Sequence, residues 1–297
     1  KINNMKKSDS SECSEWTKYT YKIVLKTFYK HLFDGEEYPK CVKWIKPKIK
    51  NRTKTEPCDV LNFEDVKDLA NATDNLRDRA FILFLYESGS RIGELMSIRI
   101  KDFTTPDKYG AMVHIPKGKT GARDIRIISS APAISNWLTQ HPNRSNTSSI
   151  LFCGNSNFNK GEPIEYNNYR KLLLKAKNKT GIDKPVNPHN FRHSRATELS
   201  KKLSDSVLCK YMGWVLGSKE AATYVHLNSD DVKNAYDEAH GNKIPDQKRE
   251  SLKPIKCPRC GINNDPAAKF CQGCSLGLDE KAIMDFDREK TKWQIWL

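Results

Sequence analysis

The chain has 297 residues, with 51 Lys+Arg against 36 Asp+Glu, a formal net charge of +15 and 37% hydrophobic residues. Mean hydropathy is −0.71, and no stretch approaches the roughly 20 apolar residues of a membrane-spanning helix, which sets a membrane protein aside. The charge points to a polyanionic partner, because neutralised phosphates release condensed counterions; on charge alone, a lysine-rich solubilising surface is the other reading.

At about 100–200 residues per domain, the length fits two or three domains. Residues 1–10 are polar, so no signal peptide is expected, and the opening at Lys1 instead of Met reads as a piece of a longer chain. Cys13, Cys41, Cys58, Cys153 and Cys209 are scattered singly, as in a reducing compartment, which places the protein in the cytoplasm.

Residues 14–33 read as an amphipathic helix, with Tyr21, Leu25, Phe28, Tyr29 and Leu32 on one face and lysines between them. Residues 39–54 carry seven Lys/Arg and no acid, and Pro47 breaks any helix there. That stretch reads as a basic interdomain linker able to follow a phosphate backbone. Asn62 is expected to cap a helix beginning Phe63-Glu64-Asp65-Val66, and Asp74 a second one through Phe81, Leu83, Phe84 and Leu85. Residues 111–115 and 125–128 are β-prone runs joined by Lys117-Gly118-Lys119-Thr120-Gly121, a hairpin with a basic tip. Helical patterns return at 133–138, 166–176 and 189–202, and the polar 241–256 stretch, with Pro245 and Pro254, reads as a second linker. The expected fold is mainly α with a small antiparallel β-sheet. Its parts are a helical domain (1–55), a larger domain (56–240), a linker (241–254), a cysteine module (255–276) and a C-terminal tail (277–297).

Cys257-Pro-Arg-Cys260 and Cys271-Gln-Gly-Cys274 are separated by ten residues. Two such pairs supply a tetrahedral thiolate set that suits one Zn²⁺. With all four positions taken by cysteine, no ligand position is left for water, so the site is expected to be structural. The module resembles the zinc ribbons, and is expected to fold separately, so that Cys257→Ser would leave the catalytic domain folded.

Four further segments point to one chemistry. Arg91 follows a Gly-Ser turn at the start of a helical run, placed either to hold an anion or to pair with Glu94. The hairpin tip offers Lys119, or Lys117, as a mobile cation. In Pro188-His189-Asn190-Phe191-Arg192-His193-Ser194-Arg195, the i,i+3 spacing puts His189 and Arg192 on one helical face, a proton-transfer group beside a phosphate clamp. Residues 213–226 carry Trp214, Lys219, Tyr224 and His226. His193 and His226 read as structural histidines, and Arg195 and Lys219 as phosphate contacts or surface charges.

In this order and spacing, the segments resemble the tyrosine recombinase (phage integrase) family over roughly residues 14–240. The resemblance implies DNA binding for the helical domain 1–55 and catalysis for the domain 56–240, with a catalytic set at Arg91, Lys119, His189, Arg192, Trp214 and Tyr224. Trp214 stands where most members have His, and the interval from Trp214 to Tyr224 is slightly longer than the commonest one. The Gly213-Trp214…Gly217-Ser218-Lys219…Tyr224-Val225-His226 form, followed by a four-cysteine module, looks most like archaeal members.

The resemblance further implies that Tyr224 attacks a scissile phosphate to give a 3′-phosphotyrosine and a free 5′-hydroxyl. Arg91 and Arg192 would stabilise the charge that builds on the phosphate oxygens, Lys119 would protonate the leaving oxygen, and His189 would help remove the tyrosine proton. Trp214 can donate only its indole N–H. No ATP and no catalytic metal are expected. The implied partner is double-stranded DNA, bound by a homo-tetramer on two sites, and the tail 282–297, ending Trp293-Gln294-Ile295-Trp296-Leu297, could dock between protomers or equally begin a truncated domain. A type IB topoisomerase or resolvase using the same residues, and a catalytically silent DNA-binding regulator, are the rival readings.

Overall fold

The computed structural model describes residues 2–8, 10–48, 59–107, 109–116, 118, 121–224, 236–237, 240, 253–280, 282–284 and 288. They fall into two compact units, Lys1–Glu56 and Pro57–Leu297.

The first unit is built on α1 (Glu15–Leu32), whose N-cap Ser14 accepts from the Thr17 N–H at 3.1 Å. Glu15 in the first turn and Lys30 and His31 in the last complement the helix dipole. The described part of the basic stretch that follows, residues 39–48, folds onto this unit, while 49–54 lie outside the described residues. Lys40–Lys43 make one helical turn (α2), Val42 and Ile45 are buried, and Lys26 Nζ donates to the Ile45 carbonyl at 3.0 Å. Over the described part, 39–48, Lys40, Lys43, Lys46 and Lys48 face solvent while Val42 and Ile45 pack and Trp44 stays exposed.

The second unit starts with α3 (Phe63–Asn71). Asn62 caps it as expected, in a reciprocal box with Asp65. The next cap is Asn75, not Asp74: its side chain accepts from the Asp78 N–H at 2.9 Å and starts α4 (Leu76–Ser88). Asp74 instead accepts from Lys175 at 2.7 Å and from Lys179, both on α7 (Tyr166–Thr180). The acid therefore ties two helices together.

Helix α4 is the axis of this unit. Ala80 to Ser88 are all buried, and α3, α6 (Ala131–Thr139) and α8 (Pro188–Ser200) pack around it. A helix apolar on every side has no solvent face to offer. Phe81 stacks on Tyr169 with centroids 4.4 Å apart and meets Phe152 edge-on at 5.7 Å. Strands β1 (Ala111–Ile115) and β2 (Arg123–Ile127) form the expected antiparallel hairpin, with Val113 opposite Ile125. Alternate residues Ala111, Val113 and Ile115, with Ile125 and Ile127, point inward.

A buried carboxylate joins these parts. Glu87, near the end of α4, accepts from the backbone N–H groups of Ile128, Ser129 and Ser130 at 2.7, 2.9 and 2.7 Å, and from Ser130 Oγ at 2.6 Å. It thereby satisfies donors at the N-terminus of α6, where a negative charge is favoured.

Two further helices, α9 (Asp205–Met212) and α10 (Lys219–Tyr224), enclose a smaller core with α8. Ala196, Leu199, Leu208, Met212, Trp214, Ala221 and Tyr224 make up most of it. Both helices are short, and no periodic pattern in the sequence announced them.

The cysteine module carries a second small sheet, β3 (Ile255–Lys256) antiparallel to β4 (Asn263–Asn264). It belongs to the same compact unit as α3–α10. Ala267 is buried in the main core, β4 packs on α6, and Arg79 of α4 pairs with Asp265. Residues 255–276 are thus joined to the helical body by a shared core.

Candidate active site

Gly89 ends α4 in the left-handed region at φ +56, and a Cβ there would lie 3.1 Å from Met212. Glycine reverses the chain at that point without strain. The turn delivers Arg91 as the N-cap of α5 (Ile92–Leu95). The ion pair with Glu94 raised by the sequence is present: Arg91 Nη1 to Glu94 Oε1 is 2.9 Å, and the Arg91 backbone N–H donates to Oε2 at 3.1 Å.

Glu94 is buried, and its second oxygen accepts from Arg123 Nη2 at 2.8 Å. Burial alone would push this carboxyl's pKa up, but Arg123 and Arg91 hold it below the usual range. Arg123, at the start of β2, also donates from Nε to the Tyr211 carbonyl at 3.0 Å. Among the described residues its Nη1 has no hydrogen-bond partner.

Arg192 comes from α8, one turn after Asn187 caps that helix and Pro188 opens it. Its guanidinium is buried, donates to the carbonyls of Gly89 at 2.8 Å and Met212 at 2.7 Å, and lies 5.5 Å from the Trp214 ring centroid. Burial, then the nearby charge of Arg91, brings its pKa down to about 10, so it remains charged at neutral pH. Arg91 Nη1 approaches the Gly213 carbonyl at 3.5 Å. Both guanidinium groups therefore meet the 212–213 turn, where paired planar donors make a site for an anion such as a phosphate.

Tyr224 closes the site from α10. Its ring stacks on Trp214, with centroids 5.3 Å apart and planes 11° from parallel. Trp214 thus contributes a flat packing surface between Arg192 and Tyr224. The Tyr224 hydroxyl lies 2.5 Å from His193 Nδ1, and His193 Nε2 lies 2.7 Å from His189 Nε2. Burial raises the Tyr224 pKa to about 12, while burial, His189 and Arg192 lower that of His193 to about 4. Partial desolvation by its neighbours and then the charge of Arg192 lower that of the otherwise exposed His189 as well. At neutral pH the site holds a protonated phenol against a neutral imidazole.

The structure adds a contact at one histidine and changes the setting of one arginine. His193, read as a structural histidine, makes the direct contact with Tyr224, and His189 touches the next ring nitrogen along. The i,i+4 spacing signals that the two histidines share a face of α8, but not that His193 meets Tyr224. Arg195 is no phosphate contact: its side chain is 13% exposed and donates to the Glu87 carbonyl at 2.9 Å and to Glu198 at 2.6 Å. Glu94 and Arg123 join the site although neither stands in the expected catalytic set. Lys117, Lys119, His226 and the 289–297 tail lie outside the described residues. Gly118, between the two lysines, sits where a Cβ would be 3.2 Å from Glu94 Oε1 and 3.3 Å from Arg123 Nη1. The hairpin tip thus begins beside the Arg91–Glu94 pair.

Away from this site, Cys257, Cys260, Cys271 and Cys274 come together, with all four sulfurs within 4.8 Å of one another. Cys257 and Cys274 are 3.6 Å apart, and Cys260 and Cys271 are 3.5 Å apart.

The fold thus joins a mainly helical body and a small hairpin to a site of one tyrosine, a histidine pair and two arginines. The profile of the Phage integrase family matches residues 59–231, and the chain belongs to that family. Transposase A from transposon Tn554 of Staphylococcus aureus (strain Mu50) is 26% identical over 203 residues, 65% of this chain and 56% of the transposase. Tyrosine recombinase XerD of Listeria monocytogenes serotype 4b is 27% identical over 198 residues, 61% of this chain and 62% of XerD. The chain therefore spans little more than half the length of these relatives. Among solved structures, the XerH site-specific recombinase bound to palindromic difH substrate, a post-cleavage complex, shares the fold. It has a TM-score of 0.58 at 20% identity, over 76% of this chain and 68% of that one.

Proposed function

We propose that the chain is a tyrosine-type site-specific DNA recombinase, acting on double-stranded DNA through a covalent 3′-phosphotyrosine at Tyr224. The observation that carries the reading is that Arg91 and Arg192 meet at the 212–213 turn, beside the Trp214 ring on which Tyr224 stacks with its hydroxyl against a histidine pair.

In the reaction, the Tyr224 oxygen forms a bond to phosphorus as the bond to the 5′-oxygen breaks. Arg91 and Arg192 offset the charge that develops on the non-bridging oxygens; losing one such donor commonly costs about 10²–10³ in rate. Glu94 keeps Arg91 aimed, and Trp214 fixes the plane of the tyrosine ring. Lys119 is proposed to protonate the departing 5′-oxygen, from the tip that starts at Gly118. The covalent link conserves the phosphodiester energy, so the 5′-hydroxyl of another strand can attack it and complete exchange without ATP. Two DNA partners exchanging strands favour a homo-tetramer on two sites, and the protein would be DNA-associated in the cytoplasm.

We further propose that the four cysteines hold one structural Zn²⁺. Zinc–sulfur bonds near 2.3 Å in a tetrahedron separate sulfurs by about 3.8 Å, which the two close pairs approach. The Gly273 N–H and Asn264 Nδ2 both donate to Cys271 Sγ, at 3.4 and 3.6 Å, as befits a thiolate ligand. With every ligand a cysteine, the metal would hold the knuckles together. The archaeal likeness rests on the spelling of the 213–226 segment and on this module.

The test uses a pool of nicked duplexes with randomised core sequence, whose short cleaved strand diffuses away and traps the intermediate. Wild-type protein should retain a subset of duplexes through a denaturing wash, and Tyr224→Phe should retain none. Failure of the wild type to retain any would count against the reading. Relaxation of supercoiled plasmid without any site-specific joined product would shift it to a topoisomerase.

A further inference from the structure

Any reaction that uses Tyr224 as a nucleophile must first dispose of its proton. The hydroxyl is buried among Trp214, Arg192 and the α8 histidines, and its pKa is raised to about 12, so almost none is ionised at neutral pH. A base must take the proton as the bond to phosphorus forms.

His193 is the group in place to do so. Its Nδ1 lies 2.5 Å from the Tyr224 oxygen, its ring centroid is 5.2 Å from the tyrosine ring, and it comes from the same helix as Arg192. Its other nitrogen, Nε2, is 2.7 Å from His189 Nε2, with the rings at 88° to one another. His189 is exposed, whereas His193 is half-buried. The contacts thus form a line from phenol to inner imidazole, to outer imidazole, to water.

We propose that His193 is the catalytic residue that accepts the Tyr224 proton, and that His189 acts behind it as the outlet of a two-histidine relay. The inference rests on the recombinase reading and reassigns its base. The tautomers follow from the direction of transfer. His193 carries its proton on Nε2 and donates it to His189 Nε2, leaving Nδ1 open to the phenol; His189 then carries its own on Nδ1. As the Tyr224 oxygen attacks phosphorus, its proton moves to His193 Nδ1. The Nε2 proton moves to His189, a proton leaves His189 for solvent, and the electron pair of the breaking phosphorus–oxygen bond goes to the 5′-oxygen, which takes its proton from Lys119. Religation runs the same path backwards, with His193 returning the proton to the departing tyrosine.

The charges around the pair explain why a relay suits this site better than a single base. His193 faces His189 and Arg192 from α8 and Tyr224 from α10, while Arg91 at the head of α5 and Glu220 of α10 act on His189. Positive neighbours and burial make a protonated His193 short-lived, which would stall the reaction if the proton had no exit. Passing it to the exposed His189 clears the inner ring before religation.

The experiment measures formation of the covalent adduct by the full chain on a nicked duplex recovered with wild-type protein from the randomised pool. It compares an ordinary phosphodiester with a 5′-bridging phosphorothiolate, whose sulfur leaves without an acid. His193→Gln should slow adduct formation by about 10²–10⁴ on both substrates with duplex binding unchanged, whereas Lys119→Ala should recover on the sulfur substrate alone. In His193→Ala, where only tyrosinate reacts, the rate should climb about tenfold per pH unit from about pH 7 to 9, and added imidazole should restore it. A residue that merely supports the ring would leave the pH profile parallel to wild type and unmoved by imidazole. That result, recovery of His193→Gln on the sulfur substrate, or a rate within about threefold of wild type, would overturn the assignment. If wild type forms no adduct, or Tyr224→Phe forms one, the recombinase reading itself fails and the relay falls with it. A Tyr224-dependent adduct leaves only the base in question.

Discussion

Arg79 and Asp265, 186 positions apart in the chain, form a two-bond ion pair, with Arg79 Nε and Nη2 donating to the carboxylate at 3.1 and 2.7 Å. Arg79 is held in turn by Asn71 at 2.9 Å, and the Asp265 side chain is 9% exposed. The pair fastens the cysteine module to the first turns of α4, the helix whose other end leads into Arg91.

This contact changes what loss of the metal should do. Because Ala267 shares the main core, Cys257→Ser or chelation of bound zinc should lower the melting temperature of the whole second unit in one transition. A separate low-temperature transition, with the helical body unchanged, would support a free-standing module instead. Asp265→Ala should cost about 2–3 kcal/mol, since it leaves a mostly buried guanidinium unpaired. Chemical denaturation with a helix-sensitive signal measures it.

Glu94 is the shared counter-charge of Arg91 and Arg123. Glu94→Ala should destabilise the protein by about 3–5 kcal/mol, because Arg123, 7% exposed, loses its buried ion pair. Glu94→Gln keeps the shape and one acceptor and should fold better. It should still slow adduct formation by about 10–30-fold if the carboxylate aims Arg91, half an oxyanion donor's usual effect in free energy. Equal rates for Glu94→Gln and wild type would show that Arg91 needs no such support.

Stability should also depend on pH through His193. Its pKa falls from 6.5 in the unfolded chain to about 4 in the fold, so the unfolded state binds more protons between these values. The stabilising contribution is present above pH 6.5 and is lost progressively as pH falls towards 4. The melting temperature should therefore decline over this window in the wild type and decline less in His193→Gln. Identical slopes for the two proteins would contradict the depressed pKa.

Glu87 provides a control outside the reaction. Glu87→Ala removes the acceptor for the Ile128, Ser129 and Ser130 N–H groups, and each buried donor left unpaired costs about 1–3 kcal/mol. The expected outcome is loss of folding at ordinary temperature, read by circular dichroism. A folded Glu87→Ala protein would mean that water enters this corner freely.

Much of the frame was legible because local signals and tertiary structure agreed. The Asn62–Asp65 box, the alternating strands around the basic tip and the Asn187-Pro188 start of α8 each obey a short-range rule that the fold keeps. Asp74 and Asn75 satisfy the same capping rule one residue apart. The choice fell to Lys175 and Lys179, about a hundred positions away, which engage the acid. Helices α9 and α10 are too short for periodicity to register, and their stability comes from the core they share with α8. Arg91 and Arg192 follow from the sequence motifs, but Arg123 and the partner of Tyr224 do not. The position of His193 depends on how α10 folds back across α8, and nothing in either segment alone specifies that.

The central claim is that Tyr224 becomes covalently joined to DNA. The most direct measurement isolates the adduct formed by wild-type protein on duplexes from the randomised pool, digests it, and maps the nucleotide-bearing peptide by mass spectrometry. The nucleotide should be found on Tyr224, attached through a 3′-phosphate. Attachment to any other residue, or an adduct of equal yield from Tyr224→Phe, would contradict the account.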